Sequence, residues 1–182
     1  MLNLKLNKDI VSKSIKHNQE NNLGNRGYAD GSQEEQLIGI LGENTICNAL
    51  DLPFMNSEGY DGGFDIKLNN KNVDIKTMGR TVYPQLNYVN NLVAMQLKNN
   101  SDIYLFCSYH KHNHELTLCG WIDKENFKKK AKLYKEGDIR YRYDGTTFKT
   151  KSDLYEIENR LLNPINNIKD LKQVGLPLNQ FI

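Results

Sequence analysis

The sequence predicts an α/β fold in which a mixed β-sheet is flanked by helices on both faces. Three observations support this prediction. Hydrophobic residues make up 38% of the 182 residues, which is enough for a buried core, while charged residues make up 25%. Apolar residues recur at helical spacing in some segments and at every second position in others. In chain order these segments run helix, strand, strand, helix, strand, strand, helix.

The length of the chain suits one domain, or at most one domain with appended helices. We expect residues 1–32 to form an N-terminal arm and linker. Residues 33–182 are then a single domain that carries a C-terminal helix. The net charge is only +2, which permits nucleic-acid binding without requiring it.

Composition argues against a membrane-spanning protein and against a secreted one. The mean hydropathy is −0.66, and no segment approaches the roughly 20 apolar residues that span a bilayer. The first residues carry neither an apolar core nor a cleavage site of a secretory signal. The three cysteines are odd in number and widely spaced, which is typical of reduced thiols. We therefore expect a cytoplasmic protein with no membrane partner, in the host cytoplasm if a phage encodes it.

The N-terminal third contains one clear helix. Residues 1–22 are polar with scattered leucine and isoleucine, which favours a loosely attached arm or a short helix. A turn-rich linker of Gly, Asn and Asp follows. Ser32 is a good N-cap, and apolar residues then keep helical spacing over residues 33–50. Pro53 ends this segment.

Two short segments with apolar residues at every second position, 64–68 and 73–76, predict a β-hairpin. A two-residue turn would place Asp65 opposite Asp74, and a four-residue turn would place it opposite Lys76. Either register puts these three side chains on one face, because the side-chain period of a strand is two.

In the second half of the chain, segments with apolar residues at helical spacing again alternate with segments that have the spacing of strands. The pattern predicts two helices around a pair of buried strands and a final helix before Pro164. The predicted elements are a helix over 88–98, strands over 103–107 and 115–122, a helix capped by Asp123 with Phe127, Ala131 and Tyr134 on its inner face, and a last helix from about Asp153 to Leu162.

The hairpin places chemically useful side chains together. Two carboxylates about 5 Å apart repel each other and destabilise a strand pair. A cation between Asp65 and Asp74 would remove that repulsion, and carboxylate oxygens are ligands that Mg²⁺ prefers. Lys76 beside the metal would add a mobile positive charge that can hold a water or neutralise a phosphate. A metal, two acids and a lysine suit the hydrolysis of a phosphodiester.

These residues resemble the signature of the PD-(D/E)XK nuclease superfamily, the restriction-endonuclease-like fold that includes phage exonucleases and Holliday junction resolvases. The resemblance covers about residues 33–135. One departure is Phe64, where the superfamily has proline before the first aspartate. The segments that carry the resemblance are Gly63-Phe64-Asp65-Ile66, Val73-Asp74-Ile75-Lys76-Thr77 and, on the preceding helix, Gly39-Ile40-Leu41-Gly42-Glu43.

The resemblance implies a metal-dependent deoxyribonuclease. Asp65, Asp74 and the backbone carbonyl of Ile75 would ligate Mg²⁺, with Mn²⁺ able to replace it. Glu43 would bind the metal directly or through water, and Lys76 would position the attacking water. DNA would be the partner, and cutting both strands with one site per chain would favour a homodimer. The resemblance also points to Asp61 either as a ligand to a second metal or as a residue that supports the metal ligands, and to Gln85 and Tyr88 as contacts to substrate phosphates.

Two other clusters have both a functional and a structural interpretation. The first cluster consists of cysteines and histidines, which are zinc ligands. The sequence around them has no paired C-x-x-C element, and a cysteine in an apolar strand usually packs as a small hydrophobe. We therefore expect buried cysteines and an exposed histidine-rich hairpin tip. The zinc candidates are Cys107, His110, His112, His114 and Cys119.

The lysines of residues 124–135 form the second cluster, in the most basic part of the chain. They are either the solvated side of an amphipathic helix or a surface that contacts DNA phosphates. Lys128, Lys129 and Lys132 are the substrate-binding candidates. A nucleic-acid-binding protein that keeps the nuclease fold without turnover remains the alternative function.

Overall fold

The computed structural model describes residues 1–21, 32–54, 62–141 and 145–177. Ten strands and four α-helices make up these parts of the chain, together with two short 3₁₀ turns. The elements are β1 (Leu2–Lys5), α1 (Lys8–Glu20), α2 (Gln33–Ala49), β2 (Ile66–Leu68), β3 (Lys71–Arg80), β4 (Val89–Val93), a 3₁₀ turn (Ala94–Lys98), β5 (Ile103–His110), β6 (Glu115–Asp123), α3 (Lys124–Lys130), β7 (Lys132–Tyr134), β8 (Ile139–Tyr141), β9 (Thr147–Lys149), β10 (Leu154–Glu158), a 3₁₀ turn (Asn159–Leu161) and α4 (Ile168–Lys172).

A five-stranded sheet forms the centre of the fold, in the order β1-β6-β5-β3-β2. Strands β3 and β5 are parallel, with Asp74 beside Tyr104, while the other neighbours are antiparallel. The sheet is therefore mixed, as the sequence predicts. A three-stranded sheet, β4-β10-β7, and the hairpin β8-β9 complete the strand pairing.

The two faces of the five-stranded sheet bury separate cores. Side chains of α2 such as Ile46 pack on one face, against Ile75 and other residues of β3 and β5. On the other face, Phe127 of α3 packs against Phe106 of β5 and Ile157 of β10. Because adjacent residues of a strand point to opposite faces, β5 and β6 contribute to both cores, whereas β3 contributes apolar side chains to the first core only. The prediction of helices on both faces is confirmed.

Helix α2 begins where the sequence predicts. The Ser32 hydroxyl accepts a hydrogen bond from the Glu35 N–H at 3.3 Å, and the Glu35 carboxylate accepts one from the Ser32 N–H at 2.7 Å. This reciprocal capping box satisfies two N–H groups that a helix start leaves open. The first turn of the helix is exposed, and between Ile38 and Cys47 the helix packs against β3 and β5.

The predicted hairpin is present, with the two-residue turn. Asn69 and Asn70 have φ angles of 49° and 61°, the left-handed values that a type I′ turn requires. Ile66 pairs with Val73, which sets the register that places Asp65 opposite Asp74. The Asn69 side chain also donates hydrogen bonds to two carbonyl oxygens of the α4 region, so the turn is tied to the C-terminal part of the fold.

Of the two predictions for the chain start, the short helix is confirmed by α1 over Lys8–Glu20, and the loosely attached arm is wrong. Strand β1 pairs with β6 along its whole length, from Leu2 beside Leu118 to Lys5 beside Glu115. The helix that follows, α1, packs against α2. The chain start is therefore the edge strand of the central sheet, held by backbone hydrogen bonds and by its apolar side chains. The predicted linker, residues 22–31, lies outside the described residues.

Two predicted helices are largely strands. Residues 88–98 form β4 and a 3₁₀ turn, and residues 153–162 form β10 and a second 3₁₀ turn. The two strands pair with each other, with Ile157 beside Asn90. Each of them is too short to carry a decisive pattern, and pairing over such a sequence separation overrides local helix propensity. The C-terminal helix that does form, α4, starts after Asn167.

The helix capped by Asp123 is confirmed at its start and is shorter than expected. The Asp123 side chain accepts a hydrogen bond from the Asn126 N–H at 2.8 Å. The helix ends at Lys130, because Ala131 has extended backbone angles and the following residues form β7. Tyr134 therefore lies on a strand and not on the inner face of a helix. None of the helices in the described ranges is both long and apolar enough to cross a bilayer.

Candidate active site

The predicted site lies at an edge of the central sheet. Strand β2 pairs with β3 only up to Val73. In the described parts of the chain, no strand continues along this side of residues 74–80. Asp65 stands where β2 begins, next to this open edge, so its side chain can reach the backbone of β3.

Asp65 is attached to that edge by two hydrogen bonds. Its N–H donates to the Val73 carbonyl at 3.0 Å, and its carboxylate accepts from the Ile75 N–H at 2.6 Å. In an extended strand the N–H and C=O of one residue point to the same side. The Ile75 carbonyl therefore faces the same edge as the Asp65 carboxylate.

Asp74 and Lys76 form an ion pair on β3. The Lys76 ammonium lies 2.7 Å from a carboxylate oxygen of Asp74, and the two side chains are 24% and 3% exposed. Burial acts to lower the pKa of Lys76, but the carboxylates of Asp74 and Asp65 outweigh it and the net shift is upward. Lys76 therefore carries its charge at neutral pH, and it faces solvent more than its partner does.

The pKa of Asp65 is raised well above its usual range. Burial is the main cause, followed by the negative charges of Glu43 and Asp74. Lys76 and the hydrogen bond from Ile75 oppose the shift without cancelling it. Three carboxylates thus crowd one lysine, and a divalent cation would relieve the remaining repulsion.

Glu43 reaches this cluster because α2 lies unusually close to β3. A Cβ atom on Gly42 would be 1.9 Å from Thr77 Oγ1, whereas a Cβ on Gly39 would meet nothing closer than Glu43 Oε1 at 3.9 Å. Only Gly42 is needed for helix packing. The Glu43 charge also acts on Cys47, whose pKa is raised to about 12 by burial first and then by Glu43 and Asp65.

The residues present fit a magnesium ion by their chemistry. Among the described residues, no three His, Cys, Asp or Glu side chains are grouped to hold a metal by themselves. Mg²⁺, however, is usually held by one or two carboxylates, with water and substrate phosphate completing its shell. Asp65, Asp74 and the Ile75 carbonyl offer that kind of oxygen set. Asp61, the further predicted contact, lies outside the described residues.

The backbone carbonyls of Gln85 and Tyr88 both accept hydrogen bonds from Asn159. The carbonyl of Gln85 accepts a hydrogen bond from the Asn159 side chain at 2.7 Å, and the carbonyl of Tyr88 accepts one from the Asn159 N–H at 2.9 Å. Both residues therefore hold the turn after β10. Their predicted role in binding phosphates stays a prediction.

Lys128, Lys129 and Lys132 are exposed. Lys128 pairs with Glu125 at 2.8 Å, and the Lys132 ammonium lies 4.8 Å from the centroid of the Tyr134 ring. The first two lie on α3 and the third on β7, so they do not share one helix face. Their contact with DNA also stays a prediction.

The zinc candidates are divided between the interior and a hairpin tip. Cys107 and Cys119 are buried in β5 and β6, and burial raises the pKa of both thiols, that of Cys119 to about 12. The expected exposure of the histidines is confirmed for His112 and His114 and is wrong for His110, which is buried at the end of β5. His114 is hydrogen bonded to the Tyr109 hydroxyl at 2.6 Å. The described residues give zinc no set of ligands.

Arg80 is a residue that the sequence reasoning missed. It lies on the same face of β3 as Asp74 and Lys76, at even spacing. Its guanidinium donates to the Val89 carbonyl at 2.7 Å and lies 5.1 Å from the Tyr88 ring centroid. The described residues place no carboxylate in an ion pair with it. The period of two that identified Lys76 was a signal for Arg80 as well.

Comparisons of this chain with protein-family models, with curated proteins and with solved structures find no match.

Proposed function

We propose that this protein is a metal-dependent nuclease of the PD-(D/E)XK type that hydrolyses DNA phosphodiester bonds. One observation supports the proposal above all others. Asp65, the Ile75 backbone and the Asp74–Lys76 ion pair meet at the open edge of β3, with Glu43 close enough to act on Asp65. Along this edge the described residues place no further strand, which leaves room there for a substrate strand.

The carboxylates and the carbonyl would hold Mg²⁺ or Mn²⁺. Asp65, Asp74 and Ile75 supply the oxygen atoms, and Glu43 adds a direct or water-mediated contact. The bound cation would act as a Lewis acid on the phosphate. A bound cation would compete with the Lys76 ammonium for the Asp74 carboxylate.

Lys76 would then serve the reaction as a cationic hydrogen-bond donor. Its ammonium orients a water molecule whose oxygen forms a bond to phosphorus while the bond to one ester oxygen breaks. The attacking water gives up a proton to solvent and the departing ester oxygen takes one from solvent, so that the products are a phosphate end and a hydroxyl end. The same positive charge stabilises the negative charge that develops on the phosphate.

The partner is DNA, and cleavage of both strands by one site per chain favours a homodimer. Three free, buried cysteines support a reducing compartment, which we propose is the cytoplasm. We expect either metal to activate the protein, because the oxygen donors do not discriminate strongly between Mg²⁺ and Mn²⁺.

A protein that binds nucleic acid without cutting it is the second candidate. The observation in its favour is that Asp65 already accepts a hydrogen bond from Ile75 and Asp74 already pairs with Lys76. Such contacts would keep the acids satisfied in a fold that had lost its metal. Binding of DNA without turnover under every metal condition would favour this candidate.

A cleavage assay decides between the two. Linear, circular, single-stranded and branched DNA would be incubated with Mg²⁺, Mn²⁺ or EDTA. The nuclease proposal expects cleavage with either metal, none with EDTA and none with Lys76→Ala. Lys98→Ala is the matched control, because Lys98 is an exposed lysine at the end of a 3₁₀ turn, remote in sequence from the site. Failure of the wild type on all substrates would refute the proposal.

A further inference from the structure

A cavity of about 510 Å³ lies between α1, α2 and the segment that follows α2. Its walls are formed by two lysines, a histidine and one carboxylate of α1, by an amide of α2 and by the segment after α2: Lys13, Lys16, His17, Glu20, Asn44, Pro53 and Phe54. None of these residues takes part in the proposed hydrolysis. Cavities of about 300–1,000 Å³ are typical of sites for small ligands, so this one has room for one small molecule or one monomer of a polymer.

The lysines of the cavity hold their present partners weakly. Lys13 lies 2.8 Å from Asp9, and Lys16 lies 3.8 Å from Glu20. All four side chains are more than half exposed, and ion pairs of this kind contribute little to stability. Both ammonium groups are therefore available to a stronger acceptor such as a phosphate, which forms shorter, charge-assisted hydrogen bonds.

His17 adds a directed donor. The Asn21 side-chain nitrogen lies 3.2 Å from His17 Nδ1 and donates to the His17 carbonyl at 3.0 Å. An amide nitrogen can only donate, so Nδ1 accepts and Nε2 carries the proton in the neutral ring. This assignment follows from the hydrogen bonds and leaves Nε2 as a donor.

Phe54 provides an aromatic surface at the same place. The Lys13 ammonium lies 4.4 Å from the centroid of its ring. Such a cation–π contact is modest at exposed sites. A lysine that turns toward a phosphate would leave this ring face to a flat, apolar partner, and nucleic-acid bases stack on aromatic rings in this way.

The cavity and the candidate active site draw on the same turn of α2, with Asn44 facing α1. Asn44 lines the cavity and directly follows Glu43. The Asn44 amide is buried and donates to the Ser14 hydroxyl at 3.0 Å, which fixes α1 to α2 at this point. A ligand in the cavity therefore lies next to the turn of helix that carries the site carboxylate.

We propose that this cavity binds an unpaired nucleotide of the nucleic-acid strand that the enzyme cuts. The phosphates would contact Lys13, Lys16 and His17, and the base would stack on Phe54. A base can offer its face to a side chain only outside the duplex stack. The inference rests on the proposed nuclease function and narrows its substrate to single-stranded DNA, frayed ends or branched DNA.

The test measures binding separately from cleavage. Fluorescence anisotropy with a labelled 15-residue oligothymidylate in EDTA gives affinity and its salt dependence. The double variant Lys13→Ala/Lys16→Ala should lower the slope of log K against log salt by about 1.4, because each phosphate contact on a single strand contributes about 0.7. Phe54→Leu keeps an apolar side chain and should weaken binding about tenfold through lost stacking.

The matched control is Lys5→Ala/Lys8→Ala, which removes the same charge from exposed lysines outside the cavity. Melting temperatures check that every variant is folded. If cavity and control variants bind alike while the wild type cleaves DNA, this inference falls and the nuclease proposal stands. If cavity variants alone lose binding but the wild type never cleaves, the cavity assignment holds and the nuclease proposal falls. Equal competition by free thymidine monophosphate overturns the assignment to a strand.

Discussion

Gly42 of α2 lies against Thr77 of β3 with no room for a side chain between them. A Cβ atom at Gly42 would be 1.9 Å from Thr77 Oγ1 and 2.9 Å from Thr77 Cβ. Thr77 follows Lys76, and Gly42 precedes Glu43. The contact therefore sets the distance between the helix carboxylate and the strand that carries the lysine, and its effect on the site can be tested directly.

Gly42→Ala should destabilise the protein and lower its activity. The added methyl group must displace α2 or Thr77, and overpacking of this kind costs about 1–3 kcal/mol. The displacement moves Glu43 away from Asp65. Denaturant unfolding measures the free energy, and cleavage under single-turnover conditions measures the chemical step.

Gly39→Ala is the control, because its Cβ would meet only Glu43 Oε1 at an ordinary 3.9 Å. Alanine in a helix interior is favoured over glycine by up to about 1 kcal/mol, so this variant should be as stable as the wild type or more so. Thr77→Ala in the Gly42→Ala background should restore part of the loss. Equal stability of the two glycine variants would show that the close contact does not matter.

Divalent metal should raise the melting temperature of the wild type. A ligand that binds only the folded state stabilises it by mass action, and here it also relieves the repulsion among Asp65, Asp74 and Glu43. Asp65→Asn or Asp74→Asn should abolish the increase. The measurement is thermal unfolding at millimolar Mg²⁺ or Mn²⁺ against EDTA, with Asp9→Asn as an exposed control. An increase that survives both site variants would place the metal elsewhere.

Lys76→Ala should eliminate cleavage while DNA affinity stays nearly unchanged. One lysine among many backbone contacts contributes little to binding, whereas the chemical step depends on its position. The variant also leaves Asp74, whose side chain is 3% exposed, without its ion-pair partner. Loss of the partner from a buried pair costs up to about 3–5 kcal/mol, and Mg²⁺ should recover part of that loss. Cleavage at the wild-type rate would contradict the proposed role.

The hairpin and α2 could be predicted because their signals are local. The alternating segments around Asn69 and Asn70 predict a hairpin with either of two turn lengths, of which the two-residue turn forms, and Ser32 is recognised as an N-cap by its residue type. Once the turn length was limited to two or four residues, the period of a strand placed Asp65, Asp74 and Lys76 together. The close approach of α2 could not be predicted, because it depends on the pairing of Gly42 with Thr77.

The prediction of a helix over the segment that forms β10 is wrong because the strands that pair with β10 lie far away in sequence. Glu156 is 6% exposed and paired with Arg140, so a charged residue occupies a buried strand position. A sequence pattern assigns such a residue to solvent, and the segment then fits a helix. Strand β1 is difficult to predict for another reason, which is its short length. Leu2 and Leu4 do alternate with polar residues, but four residues are too few to separate an edge strand from a polar arm.

The three cysteines should be unreactive in the folded protein. All three are buried, and their pKa values are raised, to about 12 for Cys47 and Cys119. Since the thiolate is the reactive form, almost none of it is present at pH 8. Titration with a thiol reagent should give no fast reaction in buffer and three reactive groups in denaturant. A fast-reacting native thiol, or stabilisation by Zn²⁺ that a cysteine variant removes, would favour the zinc interpretation instead.

Charge reversal of Lys128, Lys129 and Lys132 should weaken DNA binding and reduce its dependence on salt. Each phosphate contact on duplex DNA contributes about 0.9 to the slope of log K against log salt. Reversal of Lys128 and Lys129 should leave folding unaffected, because both are exposed on α3 while Phe127 supplies the buried contact of that helix. Reversal of Lys132 should lower the melting temperature somewhat, because Lys132 is paired with Glu156 across β7 and β10. A salt titration of affinity gives the slope, and the melting temperature is the control. Parallel slopes for wild type and variant would make these lysines a solvated surface, and DNA would then have to be held at the open edge of β3 and in the cavity beside α1.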